Sequence, residues 1–222
     1  MSLPTVTIIV LNYNGLRHLE ECFASLTALD YPADRLELML VDNASADGSV
    51  AFVQERFPGV RILETGGNLG FAGGNNRGAE AAGGEYIVFL NNDMRVDAAF
   101  VHGLLEAVES DPEAVCAGAK ILNWDGTQFD FTGSTADFAA HAYQFGLGQP
   151  YSPDLHNEIV PLLYACGGAM LVRRSVFLET GGFDEDYFMY YEDLDLGWRL
   201  WLLGHKVLFA PKAVATHKHH GS

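Results

Sequence analysis

From Thr5 to Leu90 the chain switches repeatedly between two hydrophobic periods, and this alternation restricts its possible folds more than any other feature. Thr5 to Leu11 is a largely β-branched run, suited to a strand covered on both faces. Leu16 to Leu29 follows, with Leu16, Leu19, Phe23, Leu26 and Leu29 at helical spacing. The pair recurs as strand Leu36 to Val41 and helix Gly48 to Phe57, then strand Val60 to Leu63 and helix Asn75 to Ala82, and closes on strand Tyr86 to Leu90. Strands separated by helices pair in parallel, because each crossover returns the chain to the end where it started. The pattern therefore predicts an α/β fold with a mainly parallel central sheet and helices on both faces.

The remainder is less regular and reads as a smaller, mixed C-terminal part. Asp97 to Glu109 is a helix pattern and Ala114 to Leu122 a strand, while Asn123 to Pro161 is irregular or hairpin-like, rich in aromatics, Gly and Pro. Ala169 to Val172 reads as a strand, Tyr191 to Leu203 as a helix stopped by Gly204 at C′, and Lys206 to Phe209 as a last strand. No repeat, linker or low-complexity tract divides the chain, so a single domain over residues 1–222 is expected, and 49% hydrophobic residues suffice for its core.

Composition narrows the partners. With 13 Lys and Arg against 29 Asp and Glu, the net charge is −16, which repels nucleic acid and anionic lipid headgroups alike. An anionic ligand must be held locally, by backbone N–H groups, a metal ion or a few placed cations. The longest apolar runs, such as Ile8 to Leu11 and Tyr86 to Leu90, fall far short of the roughly 20 residues of a spanning helix. The opening Met-Ser-Leu-Pro leads directly into a strand pattern without a basic n-region or cleavage site. Cys22, Cys116 and Cys166 are odd in number and widely spaced, as reduced core thiols are.

In an open parallel sheet a ligand sits outside the carboxyl ends of the strands. The residues there are Asn12-Tyr13-Asn14-Gly15, Asp42-Asn43-Ala44-Ser45, Gly66-Gly67-Asn68-Leu69-Gly70 and Asn91-Asn92-Asp93. Each alone is also what a strand-to-helix turn or N-cap needs for local reasons; their coincidence along one rim points to a site. Gly66 to Gly78 has six glycines in thirteen residues, costly for a plain connection and suited to a lid or cradle that brings backbone N–H groups to a nucleotide. It is neither a P-loop nor a dinucleotide fingerprint, since Gly67, Gly70 and Gly73 give G-x-x-G-x-x-G.

Asp93 closes an apolar strand with one carboxylate, where a divalent cation can be held against a diphosphate. His217, His219 and His220 offer imidazole nitrogen, and a mixed oxygen and nitrogen shell favours Mn²⁺ over Mg²⁺, although Lys218 to Ser222 also suits a frayed tail. Tyr190 to Arg199 carries a dense acidic and aromatic cluster into a helix. Asp195 and Arg199 are i,i+4, and Glu192 shares their face, so these three suit a structural network. Asp193 projects about 100° from Glu192 toward Gly197, where a missing side chain leaves room for another molecule, which makes Asp193 the free carboxylate.

The ordered set Val10-Leu11-Asn12-Tyr13-Asn14-Gly15, Val41-Asp42-Asn43-Ala44-Ser45, Gly67-Asn68-Leu69-Gly70-Phe71-Ala72, Leu90-Asn91-Asn92-Asp93, Gly181-Gly182-Phe183-Asp184, Glu192-Asp193-Leu194-Asp195-Leu196 and Arg199 closely resembles family 2 glycosyltransferases, particularly the rhamnosyltransferase-like branch. The resemblance spans nearly the whole chain. It implies a GT-A fold, with a nucleotide-binding half at about residues 1–93 and an acceptor and catalytic half at about 94–222. It further implies inverting transfer of a sugar from a nucleoside diphosphate, such as dTDP-rhamnose or a UDP-sugar, to an acceptor hydroxyl in glycan or cell-surface polysaccharide synthesis.

By the same resemblance Asn12 and Asn14 line the nucleotide site, Asp42 meets the base, and Asn68 to Gly70 with Asn76 close over the donor. Gly167 and Gly168 match a small-residue strand lining the sugar pocket. Asn91, Asn92 and Asp93 occupy the family's Asp-x-Asp element, with Asp93 at the metal position and Asn91 an amide where many members have a carboxylate. His217 falls at the downstream metal-ligand histidine, and Asp193, paired with Glu192, matches the catalytic base. The implied cofactor is Mn²⁺ or Mg²⁺; the implied partners are the nucleotide sugar and a glycan or lipid-linked acceptor, with at most peripheral membrane contact from the cytoplasmic side. Many members continue past the point matching Ser222 into C-terminal helices, so further residues are expected to serve acceptor recognition. Asn91 also suits a non-catalytic nucleotide-sugar binding or scaffold module. A sugar nucleotidyltransferase shares the α/β layout, but no Gly-rich loop with an adjacent Arg follows the first strand.

Overall fold

In β1 (Val6–Asn12), Val6 to Val10 are buried without interruption, so both faces of this strand are covered. The computed structural model describes residues 3–137, 139 and 141–218; His219 and His220 lie outside the described residues. After β1 come α1 (Leu16–Thr27), β2 (Leu36–Asp42), α2 (Ser49–Arg56), β3 (Arg61–Glu64), α3 (Gly70–Ala81) and β4 (Tyr86–Asn91), the alternation that the hydrophobic periods predict. These four strands lie side by side in the order β3-β2-β1-β4, all parallel. Sequence order reverses between β1 and β4, and such a switch point opens a crevice at the strands' carboxyl ends. Asn12 and Asn91 end the two strands that flank it.

Helix α3 starts at Gly70 rather than Asn75, so most of the glycine-rich stretch is helix and not a lid or cradle. The reason is packing. A Cβ on Gly78 would lie 2.9 Å from the side chains of both Ile9 and Val41, and one on Gly74 would press on Leu11 and Asn43. The glycines let α3 lie close on β1 and β2, and that contact outweighs a propensity cost of about 1 kcal/mol each.

The second half adds β5 (Met94–Val96), α4 (Phe100–Glu109), β6 (Ala114–Asn123), β7 (Phe129–Phe131), β8 (Ser134–Ala136), β9 (Ala142–Gln144), β10 (Pro161–Leu162), β11 (Ala169–Arg173), α5 (Arg174–Glu179), α6 (Glu192–Leu202) and β12 (Lys206–His217). The short strands β7 to β10 give the expected hairpin-like tract. β11 is antiparallel to both β4 and β6, and β6 is parallel to β12, so one sheet continues from β3 to β10 across both halves. Gly167 and Gly168 precede β11 in a turn and are not part of a strand.

The last strand does not stop at Phe209. It runs to His217, with a register shift between Ala210 and Val214 that contains Pro211. Proline lacks the N–H a regular ladder needs, and an irregularity of this kind tolerates it. The extension places His217 opposite Met94 of β5, at the same rim as β4. Cys22, Cys116 and Cys166 are free, and the first two are buried.

Gly103 of α4 measures how closely that helix seats on β12, since its Cβ would lie 2.5 Å from the backbone nitrogen of Ala213. Gly103→Ala should therefore lose ~1–3 kcal/mol in urea denaturation, although alanine favours a helix by about 1 kcal/mol. Gly59→Ala, with nothing within 4 Å of its Cβ, should change stability by less than ~0.5 kcal/mol. Equal stabilities would contradict the packing assignment.

Candidate active site

Polar side chains tie the ends of β2, β1 and β4 together. Asp42 Oδ1 accepts from Asn12 Nδ2 at 3.2 Å, and Asn12 Oδ1 accepts from Asn92 Nδ2 at 2.7 Å. Asp42 Oδ2 also takes the Ser45 N–H at 2.8 Å, and Ser45 Oγ accepts from Asn12 Nδ2 at 3.0 Å and from the Asn14 N–H at 2.9 Å. Buried polar groups need such partners. Asn12 and Asp42 are only 0% and 1% exposed, and these bonds brace the rim from below. Asn14, at φ +52°, stays exposed on it, with Oδ1 accepting from Ala46 N–H.

Internal bonds also organise the α3 N-terminus. Asn68 is exposed, and its Oδ1 accepts from the Gly70 N–H at 3.0 Å. Gly70, at φ +73°, is covered instead by Phe188, whose carbonyl would lie 2.5 Å from a Cβ there and accepts the N–H groups of Phe71 and Ala72. Asn76 donates to the Phe183 carbonyl and to Glu185 Oε1 and accepts the Phe183 N–H. Asn76 and Gly70 thereby secure the 183–188 segment.

Asp93 and His217 come together at the rim. His217 Nε2 lies 3.4 Å from Asp93 Oδ2, and the Lys218 N–H donates to the Asp93 carbonyl at 3.0 Å. On the other side of the ring, His217 Nδ1 lies 2.8 Å from Asp130 Oδ2 in β7. Burial pulls the His217 pKa down, but its bonds to Asp130 and Asp93 and their charges outweigh it and lift the pKa to about 9. Among the described residues no three His, Cys, Asp or Glu side chains are grouped to hold a metal. One carboxylate oxygen and one imidazole nitrogen still converge, and this donor set fits a divalent cation that completes its shell with phosphate oxygens and water. Asp130 has no signature in the sequence; it is one acid between two phenylalanines.

The turn before β11 joins this corner to α6. The Asn91 N–H donates to the Gly168 carbonyl at 2.9 Å, and the next N–H back, that of Gly167, donates to Asp193 Oδ2 at 3.0 Å. Asp193 Oδ1 takes the Leu194 N–H at 2.8 Å. Burial raises the Asp193 pKa against the opposing pull of these backbone bonds. The space expected at Gly197 is absent: its Cβ would lie 2.5 Å from Tyr164 Cβ, so this glycine serves close packing. Asp195 pairs with Arg199 at 2.7 Å, and Arg199 also donates to the carbonyls of Thr180 and Gly182. Glu192 does not join them. It is buried, and its Oε2 has no hydrogen-bond partner among the described residues. Burial first, and the Asp193 charge second, push its pKa up to about 7.

With this geometry in place, the comparisons identify the family. Residues 7–181 match the sequence model described as Glycosyl transferase family 2, and the chain belongs to that family. It is 32% identical to the N-acetylglucosaminyl-diphospho-decaprenol L-rhamnosyltransferase of Mycobacterium tuberculosis, over 97% of this chain and 76% of that protein. It is 26% identical to rhamnosyltransferase WbbL of Escherichia coli, over 97% of this chain and 84% of WbbL. Among solved structures, GalNAc-T7 with UDP, GalNAc and Mn²⁺ superposes with a TM-score of 0.78 at 18% identity, covering 98% of this chain but only 44% of GalNAc-T7. S. aureus TarS 1–349 with UDP-GlcNAc gives 0.74 at 17%, covering 97% of this chain and 59% of that one. The fold is thus of the GT-A type that the motifs implied.

Glu192 generates a pH test. Its folded pKa of about 7 exceeds the ordinary 4.5, so between these values the folded state holds the extra proton and stability falls as pH rises. Relative to wild type, Glu192→Gln should gain on the order of 2 kcal/mol between pH 5 and pH 8, read from thermal midpoints at both. A pH-independent difference would contradict the burial of a titrating Glu192.

Proposed function

We propose that this chain is an inverting glycosyltransferase that moves a sugar, with rhamnose first in order, from its nucleoside diphosphate to a hydroxyl of a glycan or lipid-linked acceptor. The rhamnose assignment is supported by the two relatives whose names carry that activity, and a lipid-linked acceptor by the decaprenol in one of them. One observation carries the proposal: the consecutive residues Gly167 and Gly168 tie Asp193 to Asn91, two residues from Asp93 in a strand-end turn.

Asp193 is the base that takes the acceptor hydroxyl proton. Burial makes its carboxylate more basic, and the Gly167 and Leu194 N–H groups hold its oxygens in place. One base and one displacement invert the anomeric centre. Exposed Asn14 and Asn68 are the rim amides offered to the nucleotide. Asp93 and His217 would hold a divalent cation, Mn²⁺ or Mg²⁺, which when bound supplies Lewis-acid stabilisation of the charge on the departing diphosphate. The net charge of −16 gives the molecule a field that opposes an anionic donor, so this stabilisation has to be local. No helix among the described residues is long and apolar enough to cross a membrane; we place the reaction on the cytoplasmic side, with at most peripheral contact.

Asp193→Asn keeps the shape of the side chain and removes the base. Transfer from dTDP-rhamnose should fall at least about a hundredfold while donor affinity stays within a few-fold. Near-full transfer would reject Asp193 as the base.

A further inference from the structure

Asp130 lies in β7 between Phe129 and Phe131 and is 7% exposed. A carboxylate so placed is costly unless it is paired, and it contacts His217 Nδ1 at 2.8 Å. β7 hydrogen-bonds to β6, and β6 pairs with β12 up to His217 opposite Asn123, so the sheet itself carries Asp130 to one side of the imidazole. On the other side the turn between β4 and β5, whose next residue Met94 pairs with His217, places Asp93 3.4 Å from Nε2. The two ring nitrogens therefore have different neighbours. A nitrogen that ligates a cation needs its lone pair free, so the remaining ring proton must sit on the opposite nitrogen, and a carboxylate there both fixes that tautomer and makes the ligand more basic.

We propose that Asp130 is the positioning residue of the cation site: it holds His217 as the Nδ1–H tautomer with Nε2 turned toward Asp93, and so sets divalent-cation affinity without touching ion or donor. The inference rests on the assignment of Asp93 and His217 as cation ligands.

The test is Mn²⁺ binding to the full chain, alone and with UDP, followed by the electron paramagnetic resonance signal of free Mn²⁺. Asp130→Ala should weaken binding about 10–100-fold. Asp130→Asn, which keeps the shape and an acceptor oxygen but not the charge, should lose less, and it carries the test if the alanine variant does not fold. In a His217→Ala background neither substitution should weaken Mn²⁺ binding further. Wild-type affinity in both Asp130 variants overturns the inference, as does a loss that persists undiminished without His217. If His217→Ala alone binds Mn²⁺ like wild type, the assignment of the site fails, and the role of Asp130 falls with it.

Discussion

An imidazole held between two carboxylates, Asp93 and Asp130, is the constraint around which this structure is arranged. Two carboxylates at one ring repel unless something positive lies between them, and the raised His217 pKa of about 9 is the sign of that demand. A cation bound at Nε2 takes the place of a proton there. Three segments must meet for this to exist: the turn between β4 and β5 brings Asp93, the middle of β7 brings Asp130 and the end of β12 brings His217.

The same corner is coupled to α6 through the backbone. Gly167 and Gly168 face opposite partners, Asp193 and Asn91, so the proposed base and the strand end beside the proposed cation site share one turn. The 183–188 segment is fixed separately, by Asn76 at Phe183 and by the α3 N-terminus at the Phe188 carbonyl. Much of the polar rim is thus committed within the protein, while Asn14 and Asn68 stay exposed on it. A preorganised arrangement of this kind spares the cost of ordering side chains when a ligand arrives.

The parallel half of the fold was legible in the sequence because β1 to β4 and the intervening helices are periodic, and periodicity is local. What was not legible depended on contacts between distant segments. Gly74 reads as part of a lid or cradle until Leu11 and Asn43 are seen against it. The last strand reads as ending at Phe209 until the register shift that accommodates Pro211 is known. Gly197 resembles open space but faces Tyr164. In the site, the motifs single out Asp93 and His217, which lie 3.4 Å apart, and Asp193, tied to the same corner through Gly167, while the internal bonds made by Asn12, Asp42 and Asn76 are not visible in spacing. Asp130 could not be found from spacing, because its role exists only through the strand pairing that brings it to His217.

Pulsed electron paramagnetic resonance of Mn²⁺ bound to the full chain with UDP tests the central claim most directly. The account predicts a nitrogen coupling from one imidazole together with phosphorus coupling from the diphosphate, the former lost in His217→Ala. Phosphorus coupling without nitrogen, or a nitrogen coupling that survives the loss of His217, would contradict it.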